Sequence, residues 1–180
     1  MPLVWIITGK QNAGKSVLMM DIIAEVKQRR YPLCGLVSPG VYQDGTRIAI
    51  QVLDVGSGER TILAELKPGW DPENPTKKWK MNEEAVQWGA ARLGSMDPAG
   101  KVFFLDEIGI YEILEKTGWQ KGLEILQEKT YYRAFISVRK EVVTEIIKIC
   151  ENADIFFEEI DLDAIQTKRQ AIVQKMVQDL

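Results

Sequence analysis

Gly9-Lys10-Gln11-Asn12-Ala13-Gly14-Lys15-Ser16 fits the spacing G-x-x-x-x-G-K-[ST] in full. Such a loop holds phosphate because of what each position carries or lacks. Glycines let backbone N–H groups approach an anion with no Cβ in the way. Lys15 brings a point charge to the β- and γ-phosphates, and the Ser16 hydroxyl is a hard ligand suited to Mg²⁺. A second pair, Asp106-Glu107, ends the apolar run Val102-Phe103-Phe104-Leu105. Beside a phosphate loop, the first carboxylate is expected to hold the metal together with Ser16, and the second to orient or deprotonate a water. Two arginines are placed to meet charge developing on the phosphates: Arg139, just past an apolar strand, and Arg47, beside a turn. A surface ion pair explains either arginine equally well. The candidate set is therefore Gly9 through Val17 for the nucleotide, Ser16 and Asp106 for Mg²⁺, and Lys15, Glu107, Arg139 and Arg47 for chemistry.

The elements that must position these groups are legible around them. Leu3-Val4-Trp5-Ile6-Ile7 reads as a buried strand delivering the loop. Leu18, Ile22, Ile23 and Val26 recur at helical spacing after it, so a helix begins at Lys15 and brings its dipole and unpaired N–H groups to the phosphates. Arg29-Arg30 suit that helix's C-terminus and Tyr31-Pro32 ends it. Leu33 to Ser38 reads as a strand, and Asp44-Gly45 as a hairpin turn into a returning strand over 47–54. A turn at Gly56-Ser57-Gly58 leads to a short strand at 61–63. Asn82 caps a helix over 83–94. Lys101 to Leu105 is a strand, 118–129 a helix, 131–138 a strand and 140–150 a helix. Ala153 to Phe157 reads as a last strand, and a closing helix is expected from Asp161 or Asp163 as cap. Nothing repeats and no linker intervenes, so residues 1–180 are expected to form one α/β domain.

Between these elements lies 67–80, with Pro68, Gly69, Pro72, Pro75, Trp70, Trp79 and a Lys77-Lys78-Trp79-Lys80 cluster. It reads either as a surface loop pinned by its tryptophans or as a lid that covers phosphates or stacks on a base.

Composition narrows the chemistry. The chain has no histidine, which removes imidazole acid–base catalysis, Ser-His-Asp triads and His-ligated zinc. A net charge of −3 argues against broad nucleic-acid binding, although a local basic patch is compatible with it. Cys34 and Cys150 form no C-x-x-C and read as buried thiols. The apolar run before Thr8-Gly9 is too short for a signal peptide, and no stretch reaches membrane-spanning length, so a soluble cytoplasmic protein is expected. Asp106-Glu107-Ile108-Gly109 satisfies the D-x-x-G box of regulatory GTPases, but their Asn-Lys-x-Asp is missing.

Together these motifs resemble the small P-loop nucleoside triphosphatases found in thermophiles and animals. The resemblance runs through the phosphate loop, Gly35-Leu36-Val37-Ser38-Pro39-Gly40-Val41 with Gly45 and Arg47, and Asp54-Val55-Gly56-Ser57-Gly58-Glu59. It continues through Asp106-Glu107-Ile108-Gly109-Ile110-Tyr111-Glu112-Ile113 and Ile136-Ser137-Val138-Arg139-Lys140. It implies a P-loop (RecA-like) three-layer sandwich, mainly parallel, with an antiparallel hairpin after the second strand. It also implies slow, weakly base-selective, Mg²⁺-dependent hydrolysis of ATP, GTP and other triphosphates. Gly40, Tyr42 and Thr46 depart from the family's hairpin, and Val17 replaces a Thr that would reach the α-phosphate. Two other readings use the same scaffold: a small-molecule or nucleoside kinase with 67–80 as lid, and a nucleotide-dependent binding module without turnover.

Overall fold

The computed structural model describes residues 2–70, 78–165 and 167–180. Strand β1 (Leu3–Thr8) sends Val4 and Ile6 to one face and Trp5 and Ile7 to the other, and all four are buried. A strand apolar on both faces needs helices on both sides, and the remaining elements supply them. They are α1 (Lys15–Gln28), β2 (Leu33–Val37), β3 (Gly40–Gln43), β4 (Thr46–Asp54), β5 (Arg60–Leu66), β6 (Trp79–Met81), α2 (Glu83–Ser95), β7 (Val102–Ile108), α3 (Ile110–Ile113), α4 (Gln120–Glu128), β8 (Arg133–Val138), α5 (Val143–Asn152), β9 (Phe156–Asp161) and α6 (Arg169–Val177).

The strands form one mixed sheet in the order β6-β5-β4-β2-β7-β8-β1-β9, with β3 paired to β4. The block β2-β7-β8-β1-β9 is parallel. One core lies between the sheet and α1 with α6, joining Leu18, Ile22, Ile172 and Met176 to Trp5, Phe104 and Phe135. The opposite core sets Ala85, Leu93, Leu126 and Ile146 of α2, α4 and α5 against Phe103, Leu105 and Ile136. This is the expected three-layer α/β sandwich, with the hairpin extension after β2. Strand β8 separates β1 from β7, so the loop strand and the carboxylate strand stand about 10 Å apart at strand spacing.

Strand β4 pairs with β2 only through Leu53 and Asp54, then runs on past the end of β2, where β3 and β5 flank it. The hairpin strands therefore project beyond the carboxyl edge of the parallel block as a wing. Within 67–80, Trp79 and Lys80 belong to β6, on the outer edge of that wing, rather than to an irregular loop. Residues 71–77, including Pro72, Pro75 and Lys77, lie outside the described residues.

Two expectations shift near the C-terminus. The last strand is Phe156–Asp161, not 153–157, because α5 unwinds through a turn in which Ile155 N–H donates to Cys150 O and Asp154 takes a left-handed φ of 49°. The closing helix starts at Arg169, so neither Asp161 nor Asp163 caps it. Asp163 is engaged elsewhere: its Oδ2 accepts the Lys10 N–H at 2.9 Å.

Candidate active site

The carboxyl ends of the parallel strands carry Ser38, Asp106, Ser137, Thr8 and Asp161, so the polar residues gather along one edge of the sheet. There β1 gives way to the phosphate loop. Gly14 sits at φ 91°, which a side chain rarely adopts, and a Cβ at Gly9 would come within 3.0 Å of Ala13 Cβ. Both glycines of the motif are thus required by the loop's shape. No side chain caps α1, and its first turn holds no acidic residue. A helix leaves its first N–H groups without partners, and here they stay available to an anion.

Lys15 folds over the loop, its Nζ donating to Gly9 O at 2.8 Å and Lys10 O at 3.0 Å. Burial pulls its pKa below the ordinary 10.5, against the opposing pull of Glu107 and Asp106. Both carboxylates therefore lie within electrostatic reach of the lysine, as the motifs predict. Ser16 is half-buried on the first turn of α1, whereas Lys10, Gln11, Asn12 and Val17 are exposed and Ala13 half-buried.

Asp106 is 1% exposed. Its Oδ2 accepts Ser38 N–H at 3.1 Å, and its Oδ1 accepts the Ser137 hydroxyl and the Glu107 N–H. Glu107 has a pKa raised above the ordinary 4.5, first by burial and then by Asp106 beside it, while Arg139 and, more weakly, Arg47 pull it back. Arg139 Nη2 lies 3.3 Å from Glu107 Oε2, so the structure joins these two predicted residues directly. Arg47 is set on the wing, its guanidinium 5.6 Å from the Trp79 ring centroid, with Lys78 over both Trp70 and Trp79. Its Nε is buried without a partner among the described residues. Behind the carboxylates, Glu112 accepts the Gly109 N–H at 3.1 Å and braces the turn that follows β7.

The sequence alone offers no place in the site for Ser38, Ser137 or Asp163. The first two are small residues closing apolar strands, a faint signal in a single chain. Asp163 was legible only as a helix cap, the use that fold context overrides. The buried hydroxyls Thr8 Oγ1 and Ser38 Oγ are left without partners among the described residues.

Comparison with known proteins shows the family and the fold. The sequence pattern of the NTPase family matches residues 4–175. A nucleoside-triphosphatase THEP1 from Pyrobaculum aerophilum is 29% identical over 160 residues, 86% of this chain and 88% of that one. One from Ignicoccus hospitalis is 34% identical over 108 residues, 59% of each chain. The solution structure of a human cancer-related nucleoside triphosphatase superimposes with a TM-score of 0.69 at 18% identity, covering 99% of this chain and 96% of that one, which shows a shared fold. With its phosphate loop, paired carboxylates and a family match spanning nearly the whole sequence, this chain belongs to the P-loop NTPase family of nucleoside triphosphatases.

Proposed function

We propose that this protein hydrolyses nucleoside triphosphates to the diphosphate and phosphate with Mg²⁺, slowly and with little base selectivity. The observation that carries this reading is the loop lysine, Lys15, at the mouth of α1 within electrostatic reach of two carboxylates, Glu107 and Asp106. Loop amides and Lys15 bind the phosphates. Glu107, kept from its ordinary acidity by burial, accepts a proton from the attacking water. Arg139, already on Glu107, and Arg47 on the wing would meet negative charge on the transferring phosphoryl group.

The donor set fits Mg²⁺: Ser16 and Asp106 offer hard oxygens, and among the described residues no cluster of three His, Cys, Asp or Glu offers a full protein cage. Mg²⁺ typically keeps waters and takes phosphate oxygens, so two protein ligands suffice. When bound, the ion neutralises phosphate charge. No helix among the described residues is long and apolar enough to cross a membrane. A cytoplasmic location is part of the proposal. A nucleic-acid partner is not part of this reading.

The test is free-phosphate release by the purified protein with each triphosphate, with and without Mg²⁺. Metal-dependent release with several bases and no added acceptor is expected. Release that requires a phosphoryl acceptor would make the protein a kinase, and tight binding without release a nucleotide-dependent binding module.

A further inference from the structure

In a regular strand consecutive side chains point to opposite faces, so Asp106 and Glu107 could not both serve one site from an unbroken β7. The pairing of β7 with β8 shows how this is overcome. Leu105 is opposite Ile136, but the next pair is Ile108 with Val138. Two residues of β7, Asp106 and Glu107, thus face the single residue Ser137 of β8. This is a β-bulge, the device that re-aims a side chain at the cost of local ladder bonds. Glu107 takes φ 66° in it, a left-handed backbone that a residue with a side chain rarely adopts.

A bulge frees a buried amide that must find another acceptor. The Glu107 N–H donates to Ser137 Oγ at 2.9 Å and to Asp106 Oδ1 at 3.0 Å. The Ser137 hydroxyl, fully buried, donates in turn to Asp106 Oδ1. One side chain therefore satisfies the amide of the second carboxylate residue while gripping the carboxylate of the first. Apart from Ser137 and the Glu107 amide, Asp106 is held by the Ser38 N–H at 3.1 Å, which is independent of the bulge.

We propose that Ser137 is a positioning residue that clasps the β7 bulge and thereby aims the Glu107 carboxylate at the reacting water. The inference rests on the role of Glu107 proposed above and adds what holds it in place. Alanine at 137 removes the hydroxyl but little volume, leaving the Glu107 amide only its bond to Asp106. A shift of the base by a fraction of an ångström then follows, and misplacement on that scale costs on the order of 10²-fold at most.

The experiment is a cycle of Ser137→Ala, Glu107→Gln and the double variant, read by single-turnover hydrolysis, nucleotide titration and Mg²⁺ dependence. Circular dichroism first establishes that each variant is folded. Ser137→Ala is expected to lower kcat by about 10- to 100-fold in the parental background. It should leave nucleotide affinity and Mg²⁺ dependence near parental and quicken hydrogen exchange at the Glu107 amide. In the Glu107→Gln background the same change should cost little more, since the base is already lost. Ser137→Thr, which restores a hydroxyl, is expected to recover part of the rate. The proposal is overturned if Ser137→Ala turns over at the parental rate. It is equally overturned if the loss is as large in both backgrounds or comes with a changed Mg²⁺ requirement, since Ser137 would then act through Asp106. Parental turnover by Glu107→Gln alone would instead remove the base assignment itself.

Discussion

Glu107 is a carboxylate that burial pushes above its ordinary 4.5, near a lysine that burial draws below its ordinary 10.5. Both shifts bear on rate, with opposite signs. A raised carboxylate stays neutral to a higher pH, and neutral Glu107 accepts no proton, so kcat/KM should rise with pH through a value above the usual carboxylate range. A lowered lysine loses its proton earlier, so the grip on phosphate should fade on the alkaline side before pH 10.5. The profile for the free enzyme is expected to be a bell with both limbs moved inward. Glu107→Gln should erase the acid limb, and its survival in that variant would assign the limb to another group. At fixed pH the two carboxylates should part in kind. Glu107→Gln is expected to lower kcat by about 10²–10⁴-fold with affinity nearly unchanged, whereas Asp106→Asn should weaken Mg²⁺-dependent binding as well. Identical behaviour of the two in separate binding and single-turnover measurements would contradict the division of roles.

Among the elements, the phosphate loop holds a connection that no sequence pattern announced. Lys10 N–H reaches Asp163 Oδ2, Leu162 N–H reaches Thr8 O at 2.9 Å, and Lys140 bridges Asp163 and Asp161 at 2.7 and 3.0 Å. The segment after β9 thus fastens the first turn of the loop after β1. The Lys140 ammonium and the Lys10 amide hold the Asp163 carboxyl below its usual range. A depressed carboxylate contributes above its unfolded pKa and is lost as pH falls through the folded one, so the fastening is intact throughout neutral pH. The pair is exposed and therefore worth little to global stability. Asp163→Ala should leave the melting temperature close to parental yet weaken triphosphate binding several-fold, because the loop must then be ordered by the ligand. Calorimetric titration giving the parental affinity would reduce the contact to a surface ion pair. The same region shows what a single sequence conveys. Strands β1, β7 and β8 and helix α1 were legible because apolar period and motif agree there. Strand β9 lies later than the sequence suggests because its Glu158 and Glu159 carry an edge-strand pattern, and among the described residues it pairs only with β1. The bulge at Glu107 left no trace in composition, since it is defined by register against β8.

At the scale of the whole molecule, the site is shared between parts far apart in the chain. Residues 9–16, 38, 106–107, 137–139 and 163 meet along one edge of the sheet, and the wing with Arg47 overhangs it. A ligand held at that edge would bind the folded state and find nothing comparable in the unfolded chain. Triphosphate with Mg²⁺ at about 100 times its Kd should then stabilise the fold by about 2.7 kcal/mol. For a chain of this size that corresponds to a rise in Tm of about 5–10 °C. Lys15→Ala should melt near the parental temperature without nucleotide and lose most of the rise at the same concentration, because a charge-assisted contact worth roughly 1.5–3 kcal/mol of binding is gone. Glu107→Gln should keep the rise, since it changes the reaction and not the grip on phosphate. Thermal denaturation of the three proteins with and without nucleotide separates binding from turnover without an activity assay. An undiminished shift in Lys15→Ala would place the phosphates somewhere other than this loop.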